Sequence, residues 1–179
     1  MARYTTMLSQ LASQPWERAF FPGNADLLGA ARESALKVQE MTAGKIVAYG
    51  EDLLTFRHGP ISAVNNHSLV CMYLSSHAYT RRYELDFIEQ YYREFEKLGV
   101  RLVVVSPKEI TLPRNIPTIV YSQPIQSLHQ INVAVLVGQI LALYAAYHRG
   151  IDVDNPAMHK KLYSRTVQGV RIYSYEMAM

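Results

Sequence analysis

The sequence predicts a doubly wound α/β domain built on a mainly parallel sheet of about five strands. Short continuous apolar runs, LVCMYL at 69–74 and VRLVVV at 100–105, have the length and content of strands covered on both faces. Longer segments with apolar residues at helical spacing alternate with such runs, and parallel neighbours need crossovers of that length. Glycine or proline punctuates most of the joins.

Tyr4 to Ser13 reads as a short opening helix, and Glu17 to Phe21 as a first strand that stops at the turn Pro22-Gly23-Asn24. From Ala25 to Met41 the residues Leu27, Leu28, Ala31, Ala35 and Val38 recur at helical spacing, with Asp26 in the first turn and Gly44 just past the end. Lys45 to Tyr49 reads as a strand, and Gly50 to Arg57 as a loop or short extension of it. Gly59-Pro60 then breaks the chain and starts a short helix over Ile61 to Val64, since proline is tolerated at a first helical position. Ser68 to Leu74 is a central strand, Tyr79 to Leu98 a long helix ended by Gly99, and Val100 to Val105 and Ile116 to Tyr121 the last two strands. Ser127 to His148 is a long helix ended by Gly150. The 179 residues suit a single domain over 1–179, with a short helix at about 4–13 and an irregular tail from about 152 to 179.

Composition narrows the function. Apolar residues make up 49% and charged residues 18%, which excludes a disordered chain, and a net charge of +3 without a basic cluster leaves no footprint for nucleic acid. Cys71 is the only cysteine and sits in an apolar strand, so no internal disulfide forms and a reducing cytoplasm fits. MARYTTMLSQL lacks the order of a signal peptide, and the apolar segment Ile131 to Tyr147 carries Asn132 and Gln139, as expected of a core helix rather than a membrane span.

Chemistry is expected at two places. Glu33, Lys37 and Glu40 lie at i, i+4 and i+7, on one helix face opposite Ala31, Ala35 and Val38. A solvated stripe with one weak ion pair fits that spacing. So does a carboxylate steadied by a lysine one turn before it, which, with His58 delivered by the later stretch TFRHGP, makes a set able to move a proton beside a carbonyl. His67, His77, His129, His148 and His159 have no ligand spacing, and no metal or organic cofactor is expected. The tyrosines, Tyr91-Tyr92, Tyr144 and Tyr147 among them, read as core or interface residues.

The run ARESALKVQEMTAGKIVAYGEDLLTFRHGP, Ala31 to Pro60, resembles the second sugar isomerase (SIS) domain of tagatose-6-phosphate ketose/aldose isomerases, also described as galactosamine-6-phosphate deaminase/isomerases. The likeness continues through SSHAYTRRYELDF, Ser75 to Phe87, and RTVQGVRIY, Arg165 to Tyr173. Similar elements occur in the isomerase domain of glucosamine-6-phosphate synthase, as E-x-A-L-K-x-x-E followed by K-H-G-P. The resemblance implies a flavodoxin-like fold and aldose-ketose isomerisation, with or without deamination, of a hexose or hexosamine 6-phosphate. In it Glu40 moves a proton between C2 and C1 through an enediol or enolamine, Lys37 holds Glu40 or steadies oxyanion charge, and His58 opens the sugar ring.

In the synthase the matching histidine reaches across from a neighbouring subunit, which implies a homodimer or pairing with another SIS domain. Arg165 stands where the synthase has a lysine that closes over substrate; its planar fork keeps the charge but cannot act as an amine. The family's full-length enzymes carry two SIS domains, with the phosphate-binding Ser/Thr loops mainly in the first, which this sequence lacks. Within this sequence Ser75, Ser76 and Thr80 precede a helix whose N-terminus suits an anion, although a helix cap with exposed arginines at Arg81-Arg82 fits the same residues. Asn24 lies where the family has a Gly-Ser-Gly turn, and Glu33, Asn24, Ser75, Ser76, Thr80 and Arg165 are the expected substrate-binding residues. The alternative expectation is an isolated SIS half that binds sugar phosphate or serves assembly without turnover.

Overall fold

The computed structural model describes residues 2–113, 116–121, 127–156 and 169–173. Among these residues five strands, β1 (Arg18–Pro22), β2 (Val47–Glu51), β3 (Ser68–Tyr73), β4 (Arg101–Ser106) and β5 (Thr118–Val120), form one sheet in the order β2-β1-β3-β4-β5. Every pairing is parallel, with Ala19 beside Ala48, Arg18 beside Ser68, Cys71 beside Val103 and Val105 beside Ile119. β3 is buried along its whole length, as its unbroken apolar run requires.

Among the described residues five α-helices accompany the sheet: α1 (Thr5–Ser13), α2 (Leu28–Met41), α3 (Leu53–His58), α4 (Ala78–Leu98) and α5 (Ser127–His148). Alternate strand residues divide them between two layers. Ala19 and Phe21 point into a core with Leu8 of α1, Ala31 and Val38 of α2, and Val137 and Leu141 of α5. Phe20 points the other way, into a core with Leu53 and Phe56 of α3 and Phe87, Ile88 and Phe95 of α4. Cys71 lies in the first core, where burial pushes its thiol up to about 12 and so keeps it protonated.

The α2 layer sits unusually close to the sheet because β2 carries Gly50, where a Cβ would overlap the Ala31 backbone. α4 ends at Gly99, whose φ of 73° is the left-handed turn that glycine takes without strain. α5 is long and apolar enough to cross a membrane by length and composition. In the fold it packs on α1 and α2 through Ala134, Val137, Leu141 and Ala145, while Leu143 and Tyr147 stay exposed. Arg149 ties its end to the chain start, donating to the carbonyls of Ala12, Gln14 and Trp16.

Both sheet edges are capped by side chains. The Tyr4 hydroxyl accepts the Val120 N–H at 2.9 Å and donates to the Val120 carbonyl at 3.1 Å, filling the place of a strand beyond β5. On β2, Gln39 Nε2 donates to the Ala48 carbonyl at 3.1 Å.

Three sequence expectations need correction. The predicted loop Gly50 to Arg57 contains α3, a helix of six residues that is too short to give a periodic pattern and is started by Asp52, whose side chain accepts the Leu54 N–H at 2.9 Å. The predicted helix from Ala25 begins as a 3-10 turn over Ala25–Leu27 before α2 proper. β5 is three residues long, shorter than the predicted Ile116 to Tyr121. Most of the expected tail, 157–168 and 174–179, lies outside the described residues.

Candidate active site

The strand order reverses between β1 and β3, so their following loops diverge and leave a crevice at the carboxyl end of the sheet, where open α/β sheets take ligands. Asn24 enters it after β1, and Ser75 and Ser76 after β3. α4 returns Glu84 beneath both loops, fully buried. Ser75 N–H donates to Glu84 Oε2 at 2.8 Å and Asn24 Nδ2 donates to Glu84 Oε1 at 3.0 Å. Burial pushes the Glu84 carboxyl up to about 7, against the Ser75 N–H, the Asn24 amide and the Arg81 charge, all of which favour its ionised form; the charge of Asp52 adds to the rise.

The rest of the loop is also engaged. Ser76 N–H donates to Gln130 Oε1 at 3.3 Å, and Gln130 Nε2 donates to the Leu74 carbonyl at 2.7 Å. Arg81 folds inward, 7% exposed, and donates to the carbonyls of Ser75 at 2.7 Å and Ser76 at 2.9 Å. His77 caps α4, its Nδ1 accepting the Thr80 N–H at 3.5 Å. The cap expected for this loop is therefore present, but of the two arginines only Arg82 is exposed.

The second cluster lies on α2. Ala31, Ala35 and Val38 are buried, and the opposite side presents Glu33, Lys37 and Glu40. Lys37 Nζ lies 2.7 Å from Glu40 Oε2 and 3.4 Å from Glu33 Oε1, so one ammonium bridges both carboxylates. The hydrogen bond to Glu40 is the main reason the Lys37 pKa is raised, and it keeps the ammonium charged. The three side chains are each about a third exposed, at 36%, 29% and 30%, so the described residues do not enclose Glu40.

His58 ends α3 in the other layer. Leu53 and Phe56 anchor that helix, with the Phe56 ring 5.6 Å from Phe20 and 6.1 Å from Phe87, while His58 remains exposed. It lines an open groove of about 510 Å³ with Leu54, Thr55, Gly59 and Pro60. Glu40 and His58 thus stand on helices packed against opposite faces of the sheet. Arg165 lies outside the described residues.

Comparison with known proteins adds to this geometry. D-galactosamine-6-phosphate deaminase AgaS of Escherichia coli O157:H7 is 36% identical over 162 residues, covering 90% of this chain and 42% of its own length. The protein of that name from Shewanella sp. (strain ANA-3) is 35% identical over 164 residues, 92% of this chain and 39% of its own. The crystal structure of tagatose-6-phosphate ketose/aldose isomerase from Escherichia coli superposes with a TM-score of 0.78 at 32% identity, over 98% of this chain and 45% of that one. The chain belongs to the sugar isomerase (SIS) domain family.

A Clostridium novyi NT structure assigned to the same isomerases superposes on this SIS chain with a TM-score of 0.85 at 28% identity, over 96% of this chain and 45% of that one. The SIS chain thus spans less than half the length of the relatives it matches. No family model matches it. Its flavodoxin-like strand order is the one the resemblance implies.

Glu84 and Gln130 escaped the sequence reading. Glu84 did leave a signal: it sits one turn before Ile88 on the buried stripe of α4, a place where an unpaired charge is costly. Gln130 left none, since a single amide at the start of an apolar helix has many uses.

Proposed function

We propose that this SIS chain supplies one half of an active site for aldose-ketose isomerisation, with or without release of ammonia, of a hexose or hexosamine 6-phosphate. The single observation that carries the reading is the 36% identity over 90% of the chain to a D-galactosamine-6-phosphate deaminase, within which the Lys37–Glu40 pair is held at 2.7 Å.

In this reading the Glu40 carboxylate takes the proton from C2 of the open-chain sugar. The C–H electron pair forms a C1–C2 double bond while the C1 carbonyl oxygen gains a proton, which gives an enediol or, where C2 carries an amino group, an enolamine. Returning the first proton to C1, as the C2 hydroxyl or amino group gives up a proton, leaves a carbonyl or an imine at C2, and water converts the imine to the ketone with release of ammonia. A positioned base of this kind contributes about 10²–10⁴-fold. Lys37 orients the carboxylate and offers positive charge to the developing oxyanion, Glu33 orients Lys37 and the substrate, and Arg165 supplies charge over the bound sugar. No metal or organic cofactor is needed for these steps.

His58 opens the sugar ring by proton transfer. Because it stands across the sheet from Glu40, it serves the Glu40 of a second SIS half, in a homodimer or a tandem pair. That partner would also cover the exposed Glu40 and raise its effectiveness by excluding water. The site of action is the cytoplasm, where the lone buried Cys71 needs no oxidising partner.

A second reading is favoured by the same placement of Glu40 and His58 on opposite faces, together with a chain under half the length of its relatives. In it the chain binds or assembles with other SIS halves and does not turn over alone. Galactosamine 6-phosphate and tagatose 6-phosphate turnover, assayed on the chain alone and after adding a separate first SIS half, divides the two. Turnover by the chain alone supports the isomerase reading and overturns the second; no turnover alone, restored by adding the first half, is what the second reading predicts.

A further inference from the structure

The crevice between β1 and β3 holds every part of an anion site. It has backbone N–H groups at the start of a 21-residue helix, an arginine, and a side-chain amide. Each part is turned onto the chain itself. Ser75 N–H and Asn24 Nδ2 both end on Glu84, Ser76 N–H ends on Gln130, and Arg81 ends on the carbonyls of Ser75 and Ser76. Glu84 is fully buried, and Asn24 and Arg81 are each 7% exposed. Among the described residues no buried side-chain nitrogen or oxygen lacks a hydrogen-bond partner.

We propose that Glu84 is the resident anion of this crevice, and that its carboxylate excludes phosphate from this half of the fold. The two carboxylate oxygens occupy the two donors that a phosphate would need first. An entering phosphate would lose those donors and meet a like charge at contact distance in a site shielded from water, where repulsion is strong. Protonation of Glu84 would relieve the repulsion but not the occupied volume. If the chain acts on a sugar phosphate, as proposed above, the phosphate group is then gripped by a different SIS half, while this one contributes Glu40, Lys37 and His58. That consequence rests on the functional reading; the closure of the crevice does not.

The direct test follows the backbone amides of Ser75, Ser76 and His77 by nuclear magnetic resonance while inorganic phosphate is added to the full chain. The wild-type amides are expected to show no saturable shift. Glu84→Ala, which removes the carboxylate and its volume, is expected to give saturable shifts at these amides, with affinity at least about tenfold above the wild-type limit. Glu84→Ser, which also removes the carboxylate and most of its volume, serves as the second variant where Glu84→Ala loses native signal dispersion. Saturable binding of phosphate at these amides in the wild type overturns the proposal outright. Folded variants that still take no phosphate overturn it equally, because the carboxylate would not be what keeps the anion out. Neither outcome depends on whether the chain turns over any sugar.

Discussion

Asn24 holds Glu84 with one end of its amide and the start of α3 with the other. Its Nδ2 donates to Glu84 Oε1 at 3.0 Å, and its Oδ1 accepts the Leu53 N–H at 3.1 Å. One side chain therefore links the loop after β1, the helix after β3, and the helix that ends in His58. Replacing it by alanine leaves Glu84 short of a donor and the Leu53 N–H buried without an acceptor. Asn24→Ala is expected to cost about 2–4 kcal/mol in urea unfolding, more than a surface asparagine would. A cost under about 0.5 kcal/mol would show that the link carries no load.

The raised pKa of Glu84 gives a pH signature whose sign is fixed. Its carboxyl titrates near 7 in the fold against an ordinary 4.5, so between those values the native state holds more protons than the unfolded chain. Stability contributed by the protonated form is full below about 4.5 and is lost as pH rises through 7, by up to about 3 kcal/mol. The groups facing Glu84 are Arg81 on its own helix, which opposes the shift, Asp52 ahead of α3, which adds to it, and Tyr121 beyond β5, whose own pKa is raised chiefly by burial. Urea midpoints measured from pH 5 to 8 are expected to fall with pH in the wild type and to flatten in Glu84→Gln. An unchanged slope in the variant would assign the effect to another group.

Much of the fold was legible because its strands and long helices repeat one pattern many times. Leu69 to Leu74 and Val103 to Val105 are buried runs, and Leu85, Ile88 and Phe95 mark one side of a helix that Gly99 ends. α3 was not legible, because six residues make under two turns and only its Asp52 cap marks the start. The α2 cluster followed from spacing, since i, i+3 and i+4 fix neighbours on a helix. The crevice did not, because its contacts join residues as distant as Asn24 and Glu84, or Ser76 and Gln130, which periodicity cannot relate.

Phe56 is the anchor that presents His58. Its ring is buried against Phe20 and Phe87, and its N–H donates to the Asp52 carbonyl at 2.8 Å. Phe56→Ala is expected to cost about 3–5 kcal/mol and to speed hydrogen exchange at 53–58 before it affects α2. Exchange that rises equally in both helices would mean that α3 does not open as a separate unit.

The claim that Glu40 is the proton-moving base is tested most directly by turnover of galactosamine 6-phosphate and tagatose 6-phosphate. The assay compares wild type with Glu40→Gln, each paired with a first SIS half. The account predicts a loss of at least about 100-fold in kcat, with the unfolding midpoint nearly unchanged because Glu40 lies on the outer side of α2. Full turnover by a folded Glu40→Gln chain would contradict it.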